Sequence, residues 1–269
     1  MSHPIRSILV GALALVATAA LQTTAFCQTE LPDNYKWLED VHGKRAMDWV
    51  NEHNAASAQI LESDPRFAKL QAEALKVAES PDRLPMPDIH GNTIYNFWQD
   101  ASHVRGILRR TTVSDYLTKK PHWKTILDID ALGKKDHKSW VSSGNVALEP
   151  ENRLTLVGLS EGGEDALTYR EFDLKSGNFV KNGFVIPKSK MTVSWLDKDH
   201  LLVAKDWGRG TMTTSGYPYV VKIWTRGTAL NSAREVYRGA KTDVGVNPSV
   251  MHDGQGHRLA LISRGRTFF

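Results

Sequence analysis

A strand–turn–strand unit recurs three times in this chain and limits the folds that the sequence can adopt. Each unit places a polar turn between two apolar runs, and the units cover residues 148–154, 195–202 and 251–259. They recur at intervals of about 50 residues, which is typical of β-propeller blades built from roughly four strands each. The sequence therefore predicts a series of small antiparallel sheets. A plain β-sandwich remains an alternative, because the intervals are irregular.

Strand patterns between these units support the same fold class. Alternating apolar residues bounded by turn residues predict strands at residues 94–99, 106–112, 123–128, 153–160 and 167–173. About three and a half blade-sized units fit between Leu84 and the last residue. The segment 264–269 resembles a turn that enters a strand, and we expect the propeller to be truncated there. The predicted fold is mainly β: a partial propeller of three to four blades over residues 85–269.

An α-helical segment is predicted before the strands, within residues 28–84. Trp49, His53, Ala56 and Ile60 recur at helical spacing, which predicts a helix from about Lys44 to Leu61 with one apolar stripe. A second helix is predicted to start at Asp64-Pro65. The proline-rich segment 80–87 ends the helical pattern and indicates a domain boundary.

Residues 1–27 have the pattern of a signal peptide. Arg6 precedes an apolar run over residues 8–21, and small residues near Ala25 permit cleavage. The run is short for a membrane span, so we expect export to the periplasm or the medium and no stable membrane insertion after cleavage. Cys27 is the single cysteine, and cleavage after it would leave no thiol for a disulfide or a metal.

The charge pattern gives no indication of nucleic-acid binding. The chain has 34 basic and 30 acidic residues, and no basic run exceeds two consecutive residues. Nucleic-acid-binding proteins concentrate their positive charge on one face. We therefore expect a solvated surface of mixed charge.

One motif matches a hydrolase signature in its letters. Residues 158–162 read Gly-Leu-Ser-Glu-Gly, the Gly-x-Ser-x-Gly pattern of a nucleophile elbow. The elbow requires a strand, a strained turn and then a helix, whereas Leu167, Tyr169 and Phe172 alternate as in a returning strand. We expect a hairpin here and no nucleophilic role for Ser160. A complete small hydrolase that uses Ser160 is the weaker hypothesis.

Other candidate constellations are also better explained by structure than by chemistry. His252 and His257 flank a glycine turn beside Asp253, and we expect exposed turn residues there and no metal site. The glycine-rich segment 207–216 lacks a phosphate-loop pattern. The aromatic residues could suggest a stacking platform, but packing between strands is the favoured interpretation; they are Trp98, Trp123, Trp140, Trp195, Trp207, Trp224, Tyr217 and Tyr219. We predict no catalytic residue, metal or cofactor in this chain.

Several segments resemble the prolyl oligopeptidase family of serine peptidases. They are Asn34-Tyr35-Lys36-Trp37-Leu38-Glu39-Asp40, Trp49-Val50-Asn51-Glu52-His53-Asn54, Leu159-Ser160-Glu161-Gly162-Gly163 and Phe172-Asp173-Leu174-Lys175-Ser176-Gly177. The resemblance implies an opening helical segment, a seven-bladed propeller that filters substrates by size, and an α/β-hydrolase domain. It also implies cleavage of short peptides, typically after proline, by a Ser-Asp-His triad without a cofactor.

The resemblance places every catalytic residue after Phe269. It predicts that this chain is the gating portion of an exported serine-type endopeptidase and is inactive alone. Its partners would be the missing C-terminal hydrolase domain and, in the full-length enzyme, short peptides. The alternative is a non-catalytic exported propeller or sandwich that binds a peptide or a protein.

Overall fold

The structure is a computed structural model that describes residues 33–80 and 82–268. The predicted signal peptide lies outside these residues. The described residues fall into two units that divide between Lys69 and Leu70. The domain boundary expected from the sequence, at residues 84 and 85, stays a prediction. Within the described residues, no helix is both long and apolar enough to cross a membrane.

The first unit begins with the predicted helical segment. A 3-10 helix covers Lys36–Glu39, and α1 covers Lys44–Glu62, close to the predicted bounds. Trp37 meets the edge of Trp49, whose ring stacks on His53 with centroids 3.9 Å apart. The rest of the predicted stripe is not buried, since Ile60 is 72% exposed.

The second helix starts later than the sequence predicts. α2 covers Phe67–Ala78, whereas a start at Asp64 was expected. The Asp64 carboxylate accepts a hydrogen bond from the Arg66 backbone N–H, and the Asp64 carbonyl accepts one from the Phe67 N–H. These bonds close a turn, so the acidic residue caps a turn that leads into the helix.

The second unit contains antiparallel sheets formed by consecutive strands. The first sheet has the order β1-β2-β3-β4, with β1 Asp88–His90, β2 Thr93–Trp98, β3 Ile107–Thr112 and β4 Lys124–Asp128. The second sheet contains β5 Trp140–Ala147, β6 Leu154–Glu161, β7 Leu167–Asp173, β8 Asn178–Phe179 and β9 Val185–Ser189. Two short strands, β8 and β9, share the outer edge of β7 and together take the fourth place.

The third sheet repeats the four-stranded pattern, and a hairpin follows it. The strands of the third sheet are β10 Met191–Asp197, β11 His200–Lys205, β12 Val220–Thr225 and β13 Arg234–Arg238. The hairpin pairs β14 Gly245–His252 with β15 Arg258–Gly265. The three repeated sequence units are the β5–β6, β10–β11 and β14–β15 hairpins, so the predicted mainly β fold with blade-like sheets is confirmed.

Two short helices were missed by the sequence prediction. α3 covers Val113–Tyr116, and α4 covers Ile129–Asp136 between the first and second sheets. The Asp128 side chain caps α4 by accepting the Ala131 N–H at 2.9 Å. Ile129 and Leu132 are buried by the neighbouring sheets, which stabilises a helix too short to form on its own.

Apolar clusters join each sheet to the next. Tyr95 and Leu108 of the first sheet pack with Phe172 of the second. Tyr169 and Ile186 of the second sheet pack with Trp195 and other residues of the third. A third cluster joins the third sheet to the β14–β15 hairpin. Because β6 is covered on both faces, it is a continuous buried run without polar alternation.

Candidate functional site

The first strands of neighbouring sheets lie side by side. β10 contacts both β5 and β14. The Trp195 indole N–H donates to the Val146 carbonyl at 2.7 Å, and the Thr192 hydroxyl donates to the Asn247 side-chain oxygen at 2.9 Å. Each first strand pairs with its own sheet on one side, so its other side faces the neighbouring first strands.

A cavity of about 550 Å³ opens where these strands converge. We call it the inner-strand cavity. It is lined by residues of β1, β5, β10 and β14 and of the turn after β5. Its polar lining is Asp88, His90, Asn145, Glu149, Asn152, Ser194 and His252. The volume lies within the usual range for small-ligand sites.

A contact between His90 and Asp88 lies on one side of this cavity. His90 Nε2 lies 2.8 Å from Asp88 Oδ2, and the imidazole meets the edge of the Tyr95 ring. The His90 side chain is 16% exposed, whereas Asp88 is largely in solvent. His90 Nδ1 is buried and has no hydrogen-bond partner in the described part of the chain.

A second cavity, of about 350 Å³, lies at the starting ends of β10 and β14. We call it the loop cavity. Its lining is mainly apolar with a few polar groups: Asp165, Lys190, Met191, Thr192, Tyr217, Pro218, Val244, Gly245, Val246, Asn247, Gly265 and Phe268. Apolar walls with a small number of polar groups are typical of binding sites for small molecules and peptides.

Lys190 supplies the positive charge of the loop cavity. Its ammonium lies 4.8 Å from the centre of the Tyr217 ring and 3.5 Å from Asp165 Oδ2. The Asp165 side chain is 71% exposed, so the ion pair is screened by water and holds Lys190 only weakly. Lys190 is therefore able to pair with an incoming carboxylate or carbonyl.

The glycine-rich loop between β11 and β12 contributes Tyr217 and Pro218 to the lining of the loop cavity. Gly208, Gly210 and Gly216 have positive φ angles, so these turns favour glycine. The Tyr219 hydroxyl donates to the Gly210 carbonyl at 2.5 Å, and Trp207 donates to the Val220 carbonyl at 3.2 Å. The loop is thus a fixed element.

Two lysines lie against Trp207 at the base of the loop. The ammonium groups of Lys205 and Lys222 are 5.0 and 4.6 Å from the centre of its ring. Burial lowers the pKa of Lys205 below its usual value; the charge of Lys222 lowers it further, and Asp206 opposes both effects.

Ser160 lies inside a sheet. It is 1% exposed and pairs with Val141 of β5 and Leu167 of β7. Gly162 and Gly163 form a turn with positive φ angles, and β7 follows. The segment therefore has strand–turn–strand geometry and not the strand–turn–helix geometry of an elbow.

The histidines near the last turn separate into two environments. His257 Nδ1 lies 2.6 Å from Asp253 Oδ2, and the other Asp253 oxygen accepts the Gln255 N–H, so this pair closes an exposed turn. His252 instead lines the inner-strand cavity. Among the described residues, no cluster of three His, Cys, Asp or Glu could hold a metal.

The tryptophans and tyrosines that the sequence suggested as a stacking platform occupy different environments. Trp140, Trp195, Trp224 and Tyr219 are buried. Trp98 and Trp123 bracket the Arg109 guanidinium, at 4.1 and 4.4 Å from their ring centres. Tyr217 alone among this group reaches the loop cavity.

The sequence singled out His252 and Tyr217 but missed His90, Glu149 and Lys190 as cavity residues. Local patterns gave no signal for them, because they come from different sheets.

Comparison with known proteins gives a consistent match. The family model for the prolyl oligopeptidase N-terminal β-propeller domain matches residues 16–263. An uncharacterized peptidase, y4nA, from Sinorhizobium fredii is 41% identical over 256 residues, which are 94% of this chain and 35% of that protein. An uncharacterized peptidase, RP174, from Rickettsia prowazekii is 29% identical over 88% of this chain and 34% of its own length.

Solved structures share the fold. A post-proline cleaving enzyme from Rickettsia typhi superposes with a TM-score of 0.79 and 28% identity, over 87% of this chain and 35% of that one. Oligopeptidase B from Leishmania major has a TM-score of 0.62 at 12% identity, over 86% of this chain and 31% of that one. The chain spans about a third of the length of the relatives it matches.

Proposed function

Because this chain belongs to the family of N-terminal β-propeller domains of prolyl oligopeptidases, we propose that it controls access of short peptides to a serine-peptidase active site. The observation that supports this most directly is the convergence of four first strands on the inner-strand cavity. A cavity of about 550 Å³ has room for a short extended peptide but not for a long polypeptide, whether folded or unfolded.

The catalytic groups would come from an α/β-hydrolase domain that works with this propeller. There a histidine takes the proton of the nucleophilic serine, an aspartate orients that histidine, and backbone donors stabilise the oxyanion. No residue of this chain is assigned a catalytic role. Its contribution is to limit which peptides arrive and to contact them.

The loop cavity is the proposed contact surface for the peptide. Its apolar walls fit proline and other apolar side chains, and Lys190 can pair with a peptide carbonyl or carboxylate. The name of the Rickettsia typhi relative describes cleavage after proline. We extend that preference to this protein as part of the proposal.

A fusion enzyme tests this function. This chain would be joined to the remaining part of the Sinorhizobium fredii peptidase, and kcat/KM would be measured for a short post-proline peptide and for an unfolded protein. We expect the fusion to cleave the peptide and to spare the protein, whereas the hydrolase part alone cleaves both. Equal cleavage of both substrates by the fusion would contradict the gating role.

A matched pair of variants tests the loop cavity. Lys190→Met in the fusion should raise KM for the peptide by about tenfold with little change in kcat, because binding is lost equally in ground and transition states. Lys188→Met is the control, because Lys188 pairs with Glu164 and does not line the cavity. An equal effect of both variants would argue against contact at Lys190.

We also propose that the protein is exported. Arg6 and the apolar run at residues 8–21 support this. The test is expression of the full chain in a Gram-negative host, followed by cell fractionation and N-terminal sequencing. Export predicts a periplasmic or secreted protein that starts near residue 28; an intact N-terminus in the cytoplasm would overturn this.

A further inference from the structure

The loop cavity contains two hydrogen-bond donor groups that the described part of the chain leaves unused. The first is the Lys190 ammonium, whose contacts are the Tyr217 ring, centred 4.8 Å away, and Asp165 Oδ2 at 3.5 Å. A charge-assisted hydrogen bond is about 2.7–2.9 Å long, so the contact with Asp165 is a loose ion pair. An ammonium has three N–H donors, and these remain available to a ligand in the cavity.

Asn247 supplies the second donor group. The Thr192 hydroxyl donates to Asn247 Oδ1 at 2.9 Å, and this bond fixes which end of the amide faces β10. The Asn247 Nδ2 group has two N–H donors and makes no hydrogen bond to another described residue. Asn247 and Thr192 both line the loop cavity, as Lys190 does. One cavity is therefore lined by a charged donor at the start of β10 and a neutral donor in β14.

Apolar side chains form most of the remaining wall, and backbone bonds hold them in place before a ligand arrives. Val246 is 1% exposed, and its backbone N–H donates to the Pro218 carbonyl at 3.0 Å. The Ser215 hydroxyl donates to the Val244 carbonyl at 2.9 Å, which also ties the glycine-rich loop to the segment before β14. The volume of about 350 Å³ is near the lower end of the range for ligand sites, so it suits the end of a peptide.

We propose that the loop cavity binds the last residue of a peptide, with the α-carboxylate on Lys190 and Asn247 and an apolar side chain against Tyr217 and Val246. The α-carboxylate and the side chain are bonded to the same carbon, so donors beside an apolar ring can contact both at once. An aspartate side chain has no apolar group on the carbon that carries its carboxylate, and an amidated C-terminus has no charge. This inference deepens the proposed function, since it rests on a short peptide as the ligand of the propeller.

Recognition of a C-terminus also favours short substrates. In a short peptide every scissile bond lies close to the C-terminal carboxylate, whereas in a long polypeptide most bonds lie far from it. A propeller that holds this carboxylate therefore selects short peptides by their end as well as by their size.

The test measures peptide binding to the full chain by calorimetry, without any peptidase assay. The probes are N-acetyl-Ala-Ala-Phe as the free acid and as the amide, and N-acetyl-Ala-Ala-Asp amide. We expect the acid to bind at least tenfold more tightly than either amide. Equal affinity for the acid and its amide, equal affinity for the acid and the aspartate peptide, or no binding of the acid would each overturn the proposal.

Two variants that remove a donor locate the site. Lys190→Met and Asn247→Asp should each weaken binding of the acid about tenfold. Asn247→Asp keeps the oxygen that accepts from Thr192 and replaces the donor with a second oxygen. The controls are Lys188→Met, which removes a charge outside the cavity, and Gln255→Glu, which adds a charge at the far end of the β14–β15 hairpin. Equal losses in the variants and their controls would contradict binding at these two donors.

Asp165→Asn gives a prediction that misfolding does not imitate, because binding should improve. Of the described residues that line the cavity, Asp165 alone carries a carboxylate, and it competes with the ligand for Lys190. Its side chain is 71% exposed and the ion pair is weak, so its removal should tighten binding of the acid only about two- to fivefold. Glu164→Gln is the control, because Glu164 pairs with Lys188 outside the cavity.

Unchanged or weaker binding of the acid by Asp165→Asn would count against the proposal. The fusion assay and the calorimetry can fail separately. A fusion that does not select short peptides, together with intact binding of the acid, would reject the gating function and leave the C-terminal site standing. A fusion that selects short peptides but a chain that binds acid and amide equally would reject the C-terminal site alone.

Discussion

Glu171 carries a charge between the second and third sheets, and Arg226 neutralises it. The Glu171 side chain is 1% exposed, and the two terminal nitrogens of Arg226 donate to its two oxygens at 2.8 and 2.9 Å. The Phe184 backbone N–H donates to the same carboxylate at 2.7 Å. The fork of the guanidinium matches the carboxylate, which a lysine could not do.

Removal of Arg226 should strongly destabilise the chain. Arg226→Met leaves a buried carboxylate without its cation, which costs about 3–5 kcal/mol. Arg226→Lys should restore part of the loss. The measurement is the free energy of unfolding in urea, with Arg66→Met as the control because Arg66 pairs with Asp64 in water. A loss no larger than that of Arg66→Met would show that Arg226 does not stabilise the buried carboxylate.

Ser160 gives a second prediction at this scale. It is buried in β6 between two strands, so a fluorophosphonate should not label it. In the fusion enzyme, Ser160→Ala should keep labelling and peptide cleavage within about twofold of the parent, because the nucleophile lies elsewhere. The control is alanine at the serine of the hydrolase part. Loss of labelling in Ser160→Ala would revive the hypothesis of a small hydrolase.

The elements that the sequence predicted best are the hairpins with aspartate, asparagine or glycine in their turns. Residues 195–202 became β10, a turn and β11, because the turn residues and the apolar runs agree. α4 was missed because Gly133 interrupts its helical pattern, and its stability comes from burial of Ile129 and Leu132. The apolar stripe of α1 was predicted, yet Ile60 is largely exposed to solvent. Helical periodicity identifies the apolar face of a helix, but it does not show which element packs against that face.

The β14–β15 hairpin is held to the third sheet by a polar latch. Arg258 donates to the Leu196 carbonyl at 2.9 Å and lies 3.2 Å from Asp197. The other Asp197 oxygen lies 2.8 Å from His200 Nδ1. One carboxylate therefore joins the turn of the third sheet to a strand of the hairpin.

Loss of this latch should loosen the hairpin locally. Arg258→Ala removes a half-exposed ion pair and one hydrogen bond, together worth about 1–2 kcal/mol, which corresponds to roughly 5–30-fold faster opening. Hydrogen exchange measured by mass spectrometry should show the increase in β14 and β15 and no change in the first sheet. Arg234→Ala is the control on a neighbouring strand. Uniform acceleration over all sheets would show that the hairpin does not open separately.

At the scale of the whole molecule, the sequence predicted the sheets but not the cavities between them. A hairpin is encoded within about a dozen residues, whereas the inner-strand cavity combines residues from Asp88 to His252. Their proximity depends on how the sheets pack, and that packing is set by the clusters around Tyr95, Trp195 and Val246. In the sequence, Lys190 and Glu149 look like ordinary surface charges. Only the packing of the sheets places them beside cavities.

Aspartates close turns throughout the second unit. In each case the carboxylate accepts a backbone N–H two residues later, which fixes the turn; the residues are Asp100, Asp173, Asp197, Asp206 and Asp253. The side chain of Arg153 holds the pKa of Asp173 below its usual value, as do the Lys175 and Ser176 amides, against the opposing effect of burial. The His257 side chain lowers the pKa of Asp253, with help from the Gln255 amide.

These carboxylates should make stability depend on pH in the acid range. The pKa values of Asp100, Asp173, Asp197 and Asp253 are lower in the folded than in the unfolded chain, so the unfolded state binds more protons as the pH falls. The stabilisation is complete above the unfolded pKa of about 3.9 and is lost as the pH falls through the folded values. We expect a thermal midpoint that is flat between about pH 7 and 5 and that falls steeply below about pH 4.

Asp173→Asn tests this account at the turn between β7 and β8. The amide oxygen keeps the turn bond but loses the charged bond to Arg153, whose terminal nitrogen lies 2.7 Å from Asp173 Oδ2. We expect a loss of about 1–2 kcal/mol at neutral pH and a smaller further loss on acidification, because one proton-linked group is gone. Asp82→Asn, at an exposed position, is the control. If both variants follow the acid profile of the parent, the turn aspartates do not set its acid stability, and other carboxylates must.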